Sequence, residues 1–203
     1  PLEHIFQELI NTNNVRSNLS NLRQLAKEEI SREKIDTFFQ SNPQLVEQFI
    51  QSEDAKTRKN MSLLLGDLEQ SDAVELLYSA YREENTLFVK SAYLQALAKL
   101  DAKALVPELK ERLEVLLSLE TEEENKKHLD EEIRALRSIL IQYEGITTHR
   151  ADYKGKSVKV ILLTNRNQRE VVKRMVTCGK AEIHPLGILV ETEDLEGLMK
   201  LRT

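Results

Sequence analysis

Residues 64–77 read LLGDLEQSDAVELL, and residues 96–109 read ALAKLDAKALVPEL. A shift of 32 positions lays Leu65 on Leu97, Leu68 on Leu100, Val74 on Val106 and Leu77 on Leu109. Gly66 falls on Ala98, so a small residue is kept at that place. A unit of this length is about two helices with their turns. One such pair cannot bury its own apolar face, whereas stacked pairs can, which is the logic of an α-solenoid.

The same period of three to four residues runs outward from this repeat. Val15, Leu19, Leu22 and Leu25 share one helical face, as do Met61, Leu64, Leu65 and Leu68. Further stripes are Tyr93, Leu97 and Leu100, then Leu105, Leu109, Leu113 and Leu116, then Leu129, Ile133, Leu136 and Leu140. Apolar residues at this spacing lie on one side of a 3.6-residue turn and pack as core. Start signals fall between them. Asn42 before Pro43 gives an N-cap and a first-turn proline, Ser31 and Ser71 are further caps, and Thr121 with Glu124 matches a capping box. About nine helices are expected over residues 1–144.

Within this array, Val89-Lys90, Ala92, Ala96-Leu97-Ala98 and Leu100 resemble the second helix of a HEAT repeat. Leu105-Val106-Pro107-Glu108-Leu109 resembles the start of the following first helix. Asn85 stands at the inter-helix turn where that family commonly has aspartate, and Lys90 takes the basic position. The resemblance implies an extended binding surface and names no ligand.

The chain has 203 residues, of which 40% are hydrophobic and 31% charged, which fits a folded domain and not a disordered segment. The net charge of −5 hides an asymmetry. Residues 1–144 carry eighteen Lys/Arg against twenty-seven Asp/Glu (−9), and residues 145–203 carry eleven against seven (+4). Five of the six glycines (145, 155, 179, 187 and 197) fall in the second stretch, with clustered valine and isoleucine. The expected organisation is therefore a HEAT-like α-helical repeat domain over 1–145, a linker over 146–156, and a small α/β segment of order β-α-β-β-α over 157–203.

In that segment, 157–164 is a β-branched run that reads as a strand. A helix then runs to about Cys178, with Val171, Val172, Met175 and Val176 on its buried side and Gly179 as its stop. Residues 181–184 and 187–192 read as short strands, and a second helix starts at Glu193. Val160-Ile-Leu-Leu-Thr-Asn-Arg166, Glu170-Val-Val-Lys-Arg174, Gly187-Ile-Leu-Val190 and Asp194-Leu-Glu-Gly-Leu198 are similar to the front of the THUMP-associated region of RNA methyltransferases. That resemblance implies recognition of structured RNA (tRNA or rRNA). It also implies a downstream catalytic domain that binds S-adenosylmethionine, so that the chain is expected to be part of a longer protein.

The residue types support a polyanion partner on their own account. Lys154, Lys156, Lys159, Arg166, Arg169, Lys173, Arg174 and Lys180 fall within 27 residues, and Arg166, Arg169 and Lys173 recur on one helical face. Cations so placed neutralise phosphates and release counterions. Tyr153 is the one aromatic nearby, so shape and backbone are read in preference to unpaired bases.

Other chemistry finds little footing. No glycine pattern matches a phosphate-binding loop, so no cofactor is expected within these residues. His149 and His184 have no carboxylate at metal spacing, and no general acid–base pair stands out, so no metal or catalytic residue is assigned. The acidic run including Glu122, Glu123, Glu124, Asp130, Glu131 and Glu132 reads as a solvated helix face. Cys178, the single cysteine, reads as a small buried hydrophobe in a reducing, cytoplasmic setting. No apolar run is long enough to span a bilayer. Two functions remain: the scaffold and RNA-positioning part of an RNA methyltransferase, or a HEAT-type protein-interaction scaffold without nucleic-acid binding. A HEAT-like base-repair enzyme would need a cationic array, which the acidic first 144 residues do not provide.

Overall fold

The computed structural model describes residues 1–119, 123–144, 147–153, 156–162, 176–179, 181–183 and 189–191. The chain forms two compact units, Pro1–Ala102 and Lys103–Thr203. The first unit is helical: α1 (Leu2–Ile10), α2 (Val15–Leu25), α3 (Glu29–Ser41), α4 (Pro43–Ile50), α5 (Ala55–Asp67), α6 (Val74–Glu83) and α7 (Leu87–Ala98). Its spine is α5, which packs on both α2 and α7, with α4 also on α5 and α6 on α7.

The sequence explains why α5 is central. Met61, Ser62, Leu63, Leu64, Leu65 and Gly66 are six consecutive buried residues, so α5 has no solvent face over that stretch. A helix apolar all round is stable only when surrounded. Gly66 is where α7 comes closest. A Cβ built there would lie 2.9 Å from the Ala96 Cα and 3.2 Å from its carbonyl oxygen. At Gly66 the small residue is thus a contact requirement between two backbones.

The second unit holds α8 (Val106–Leu117), α9 (Glu123–Glu144) and strands β1 (Thr147–Tyr153), β2 (Lys156–Leu162), β3 (Ala181–Ile183) and β4 (Leu189–Glu191). The strands form one antiparallel sheet in the order β1-β2-β4-β3. Both α8 and α9 pack on β1, and on each other.

The 32-residue shift is kept by the elements themselves. The 3₁₀ turn Ser71–Ala73 maps onto Lys103–Leu105, and the starts of α5 and α6 map onto those of α7 and α8. The stripe residues from 61 to 116 are buried, apart from Leu105, which is half-buried. The described residues contain nine α-helices, in agreement with the periodicity.

Several expectations change. The stretch read as a linker, 146–156, contains β1, which pairs with β2 along its whole length, from Thr147 with Leu162 to Tyr153 with Lys156. The units divide after Ala102, not near Gly145, because α8 and α9 make their contacts with β1. Composition registers where helices end but not which neighbours they choose. Ser31 lies inside α3, where its hydroxyl donates to Glu28 Oε2 at 3.4 Å. Ser71 opens a 3₁₀ turn and not α6. Pro43 does begin α4, but the Asn42 side chain donates backward to the Phe38 carbonyl at 2.8 Å and caps the end of α3. The side-chain N-cap that forms is Asp54, accepting from the Thr57 N–H at 3.0 Å. Glu132 is fully buried, so the acidic run is not wholly a solvated face. Cys178 is exposed and Val176 is 36% exposed, against the buried readings of both. Gly179 adopts φ +77° and its N–H bonds the Val176 carbonyl at 3.1 Å, a left-handed stop that glycine adopts without strain. Thr121, Val171, Val172 and Met175, the rest of the expected helix over 165–175 and the one from Glu193 lie outside the described residues.

Replacing Gly66 with alanine should lower stability although alanine favours helices by about 1 kcal/mol. Forcing atoms into a packed contact costs about 1–3 kcal/mol. A lower urea midpoint for Gly66→Ala, and a still lower one for Gly66→Leu, checks this; an unchanged midpoint for both contradicts it.

Candidate interaction surface

Charged side chains join neighbouring helices within each unit. Arg58 on α5 reaches Glu84, which precedes α7, through Nη2–Oε1 at 2.6 Å and two Nε contacts at 3.0 and 3.1 Å. The Glu84 side chain is 5% exposed and that of Arg58 17%. Arg58 also donates to the Ser52 carbonyl at 2.9 Å, so the fork is committed on both sides. Charge-assisted, bidentate bonding of this type is what a buried carboxylate requires. Burial first, then the Glu84 charge, push the neighbouring Tyr93 phenol up to about 12.

The same device recurs along the spine. Arg16 on α2 grips Asp54, the N-cap of α5, with Nε to Oδ2 at 2.9 Å and a second contact from Nη2 to Oδ1. At the opposite end of α5, Asp67 accepts from Arg23 of α2 at 2.9 Å and from Lys99, just past α7, at 2.6 Å. Asp67 and Lys99 are themselves 32 positions apart. In the second unit Arg112 of α8 binds the buried Glu132 of α9 at 3.0 Å, and Lys110 pairs with Glu144. Beside Asn85, which stands in the turn before α7, the acid that pairs with Arg58 is Glu84. Its signal in the sequence is Arg58, twenty-six residues before it, a separation that no local pattern reveals.

Hollows lined by described residues mark the surface of the first unit. One, of about 580 Å³, is lined by Arg23, Lys27, Arg32, Lys99, Asp67 and Glu69 among others. It sits where α2, α5 and α7 end, so its cations answer helix C-termini and Asp67. A second, of about 940 Å³, has Asp36, Glu47, Glu69 and Asp72 on its walls, and Asp36 already accepts from Gln40 at 2.9 Å and Gln70 at 2.7 Å. The third, of about 1000 Å³, lies between α1 and α3 and is apolar at its base.

Of the residues proposed to hold a polyanion, the structure describes two. Lys156 and Lys159 stand on β2, opposite Tyr153 and Arg150 of β1 respectively. They are three positions apart and so have opposite parity in the pleat; the strand does not bring them to one face. It does set Lys159 directly across from Arg150, a basic residue that charge counting alone did not single out. Lys154, Arg166, Arg169, Lys173, Arg174 and Lys180 lie outside the described residues, as does His184. On α9, burial and then the nearby Arg134 pull the Arg137 guanidinium below its usual value, and its Nε has no hydrogen-bond partner among the described residues.

A family model of HEAT repeats matches residues 42–116. The match covers α4 to α8, the span in which the 32-residue register holds, and does not reach 157–203. No curated protein and no solved structure matches the chain. The matched stretch is thus similar to repeats that pack as helix pairs, in keeping with an α-solenoid. No helix among the described residues is long and apolar enough to cross a membrane.

Arg58→Met or Glu84→Leu alone should destabilise the chain by about 3 kcal/mol, because each leaves an uncompensated charge. The double substitution should cost less than the sum, as read from urea midpoints in a double-mutant cycle. Simple additivity would show that the pair is not coupled.

The Arg16 guanidinium, and then Thr57, hold the Asp54 carboxyl well below the usual aspartate range. A depressed folded pKa stabilises above the unfolded value, near 3.9, and that contribution fades as pH falls through it. Arg16→Gln should therefore flatten the loss of stability on acidification from neutral pH. Parallel curves for variant and parent would contradict this.

Proposed function

We propose that the helical array is a scaffold that presents a docking surface to a partner protein. What carries the reading is the 32-residue register, kept in both sequence and elements across the stretch similar to HEAT repeats. Repeats of helix pairs give a long, rigid surface built from side chains that the core does not need. The array's charged side chains at the inter-helix joints hold neighbouring helices in register, which suits a surface whose shape must be kept.

A second reading has a specific observation of its own. In it the chain is the non-catalytic part of an S-adenosylmethionine-dependent RNA methyltransferase, and the stretch after 145 positions structured RNA for a catalytic domain. The nine cations against two acids within 145–180, together with Arg150 placed opposite Lys159, support it. The residues 157–203 resemble the THUMP-associated region of such enzymes. Phosphate contacts of this type would fix orientation and register and not sequence choice. The segment would act through Lys154, Lys156, Lys159, Arg166, Arg169, Lys173, Arg174 and Lys180, and S-adenosylmethionine would belong to the catalytic domain.

Photo-crosslinking in cells separates the two. With a photoreactive residue at Ile30, which is 63% exposed on the array, a protein adduct is expected; with one at Ser157, exposed on β2, an RNase-sensitive adduct. No protein adduct at Ile30 or at the 49% exposed Ile10 removes the scaffold reading. In vitro, weak RNA binding that fades as salt rises should be abolished by Arg166→Glu with Lys173→Glu. Binding that survives this double substitution removes the basic helix from the second reading.

A further inference from the structure

We propose that the cleft between α1 and α3 receives an amphipathic helix of a partner protein that carries lysine or arginine along its flanks. The proposal rests on the scaffold reading and gives that partner a chemistry. The cleft has a volume of about 1000 Å³ and an apolar base formed by Leu2 and Phe6 of α1, Leu25 at the end of α2 and Phe38 of α3. Phe6 and Phe38 stack face to face, with centroids 4.2 Å apart and ring planes within 7°. Phe38 is 9% exposed, while Leu2, Phe6 and Leu25 are half-buried. The neighbours one turn away are not: Leu9, Leu22 and Ile35 are fully buried. The core of this corner is therefore already closed, and these aromatic and aliphatic groups form a second apolar layer with water above it.

The rim fixes the sign of the occupant. Glu3, Glu28 and Glu33 line it, with Lys34 as the one basic side chain among the lining residues, and all three glutamates are exposed. Apolar base and acidic flanks together ask for apolar anchors with cations on either side. The walls fix its shape. They are two helices of nine and thirteen residues, about 13 and 20 Å long at 1.5 Å per residue. A third helix lying along them meets the base with residues spaced i, i+3, i+4 and i+7 over two to four turns. An extended segment would find no strand edge here to pair with. RNA and anionic lipid are disfavoured by the same glutamates that favour a basic helix. The other acidic hollow lacks this combination, since its Asp36 is held by two glutamines.

The probe is a dye-labelled 18-residue peptide with leucine at the helical anchor positions and lysine elsewhere. Its partner probe has glutamate in place of every lysine. Titrated against the whole chain, the lysine peptide should bind at least tenfold more tightly than the glutamate peptide. Glu3→Lys with Glu28→Lys and Glu33→Lys should reverse that preference. Glu47→Lys with Glu53→Lys and Asp72→Lys changes the net charge equally at exposed positions off the cleft, and should leave the preference in place. Phe6→Ala should weaken the lysine peptide tenfold or more. If Phe6→Ala unfolds the corner by circular dichroism, Leu2→Ser at the lip serves the same purpose. Equal affinity for the two peptides overturns the proposal, as does a preference that follows net charge in both triple variants alike. If the cleft fails while protein adducts at Ile30 persist, the scaffold reading stands on another surface; if the adducts vanish as well, both fall.

Discussion

The arrangement of the first unit follows from one close approach, that of α5 to α7 at Gly66. A glycine whose missing Cβ would lie 2.9 Å from another helix's backbone lets the two axes come near enough for Leu64, Leu65, Leu94 and Leu97 to be fully buried. Once α5 is buried all round between residues 61 and 66, its neighbours have little freedom. α2 covers one side and α7 another, and α4 a third. The helix has almost no amphipathic stripe of its own, so it cannot exist apart from them.

Charge does a second job in this architecture. In a stack of helix pairs the inter-repeat joints are where backbone groups at helix ends lack partners. Arg16 with Asp54, Arg58 with Glu84, and Arg23 and Lys99 with Asp67 all sit at such ends. Arg58 is largely withdrawn from the surface by its pair, at 17% exposed, whereas Arg16 and Lys99 stay about half exposed while paired. Buried pairs of this kind add little net stability compared with apolar contacts, yet breaking one is costly. Their effect is to penalise any slippage of one repeat against the next.

How far the sequence reveals this depends on how far apart the partners are. The repeat was legible because its evidence is internal: a 32-residue shift needs only the chain itself, and the elements keep it at α5, the 3₁₀ turn and α6. Asn42-Pro43 was legible in part, since proline sets the start of α4, whereas the asparagine's amide turned back to the Phe38 carbonyl. What local patterns could not show is long-range pairing. Glu132 looks like one more acid in an acidic helix until Arg112, twenty residues earlier, is placed against it. Glu84 beside Asn85 is the same case. The division after Ala102 was hidden for a related reason: α8 continues the repeat in sequence while its contacts run to α9 and β1. At the α1–α3 cleft, the sequence shows phenylalanines at positions 6 and 38 but nothing to say that they stack.

The two units face different electrostatic problems, and this bears on what each can hold. In the first, arginines pair with carboxylates near helix ends, and the cleft between α1 and α3 keeps exposed glutamates around it. In the second, the ladder places Arg150 opposite Lys159, two like charges directly across an antiparallel pair. Such a pairing is unfavourable in isolation. On the other side of β2, β4 pairs through Val160 with Val190 and carries Glu191 one position further on, so the sheet itself sets an acidic residue on the strand beside the two basic ones. Residues 1–144 carry a net −9 and residues 145–180 a net +7, so the two stretches differ in the sign of their charge.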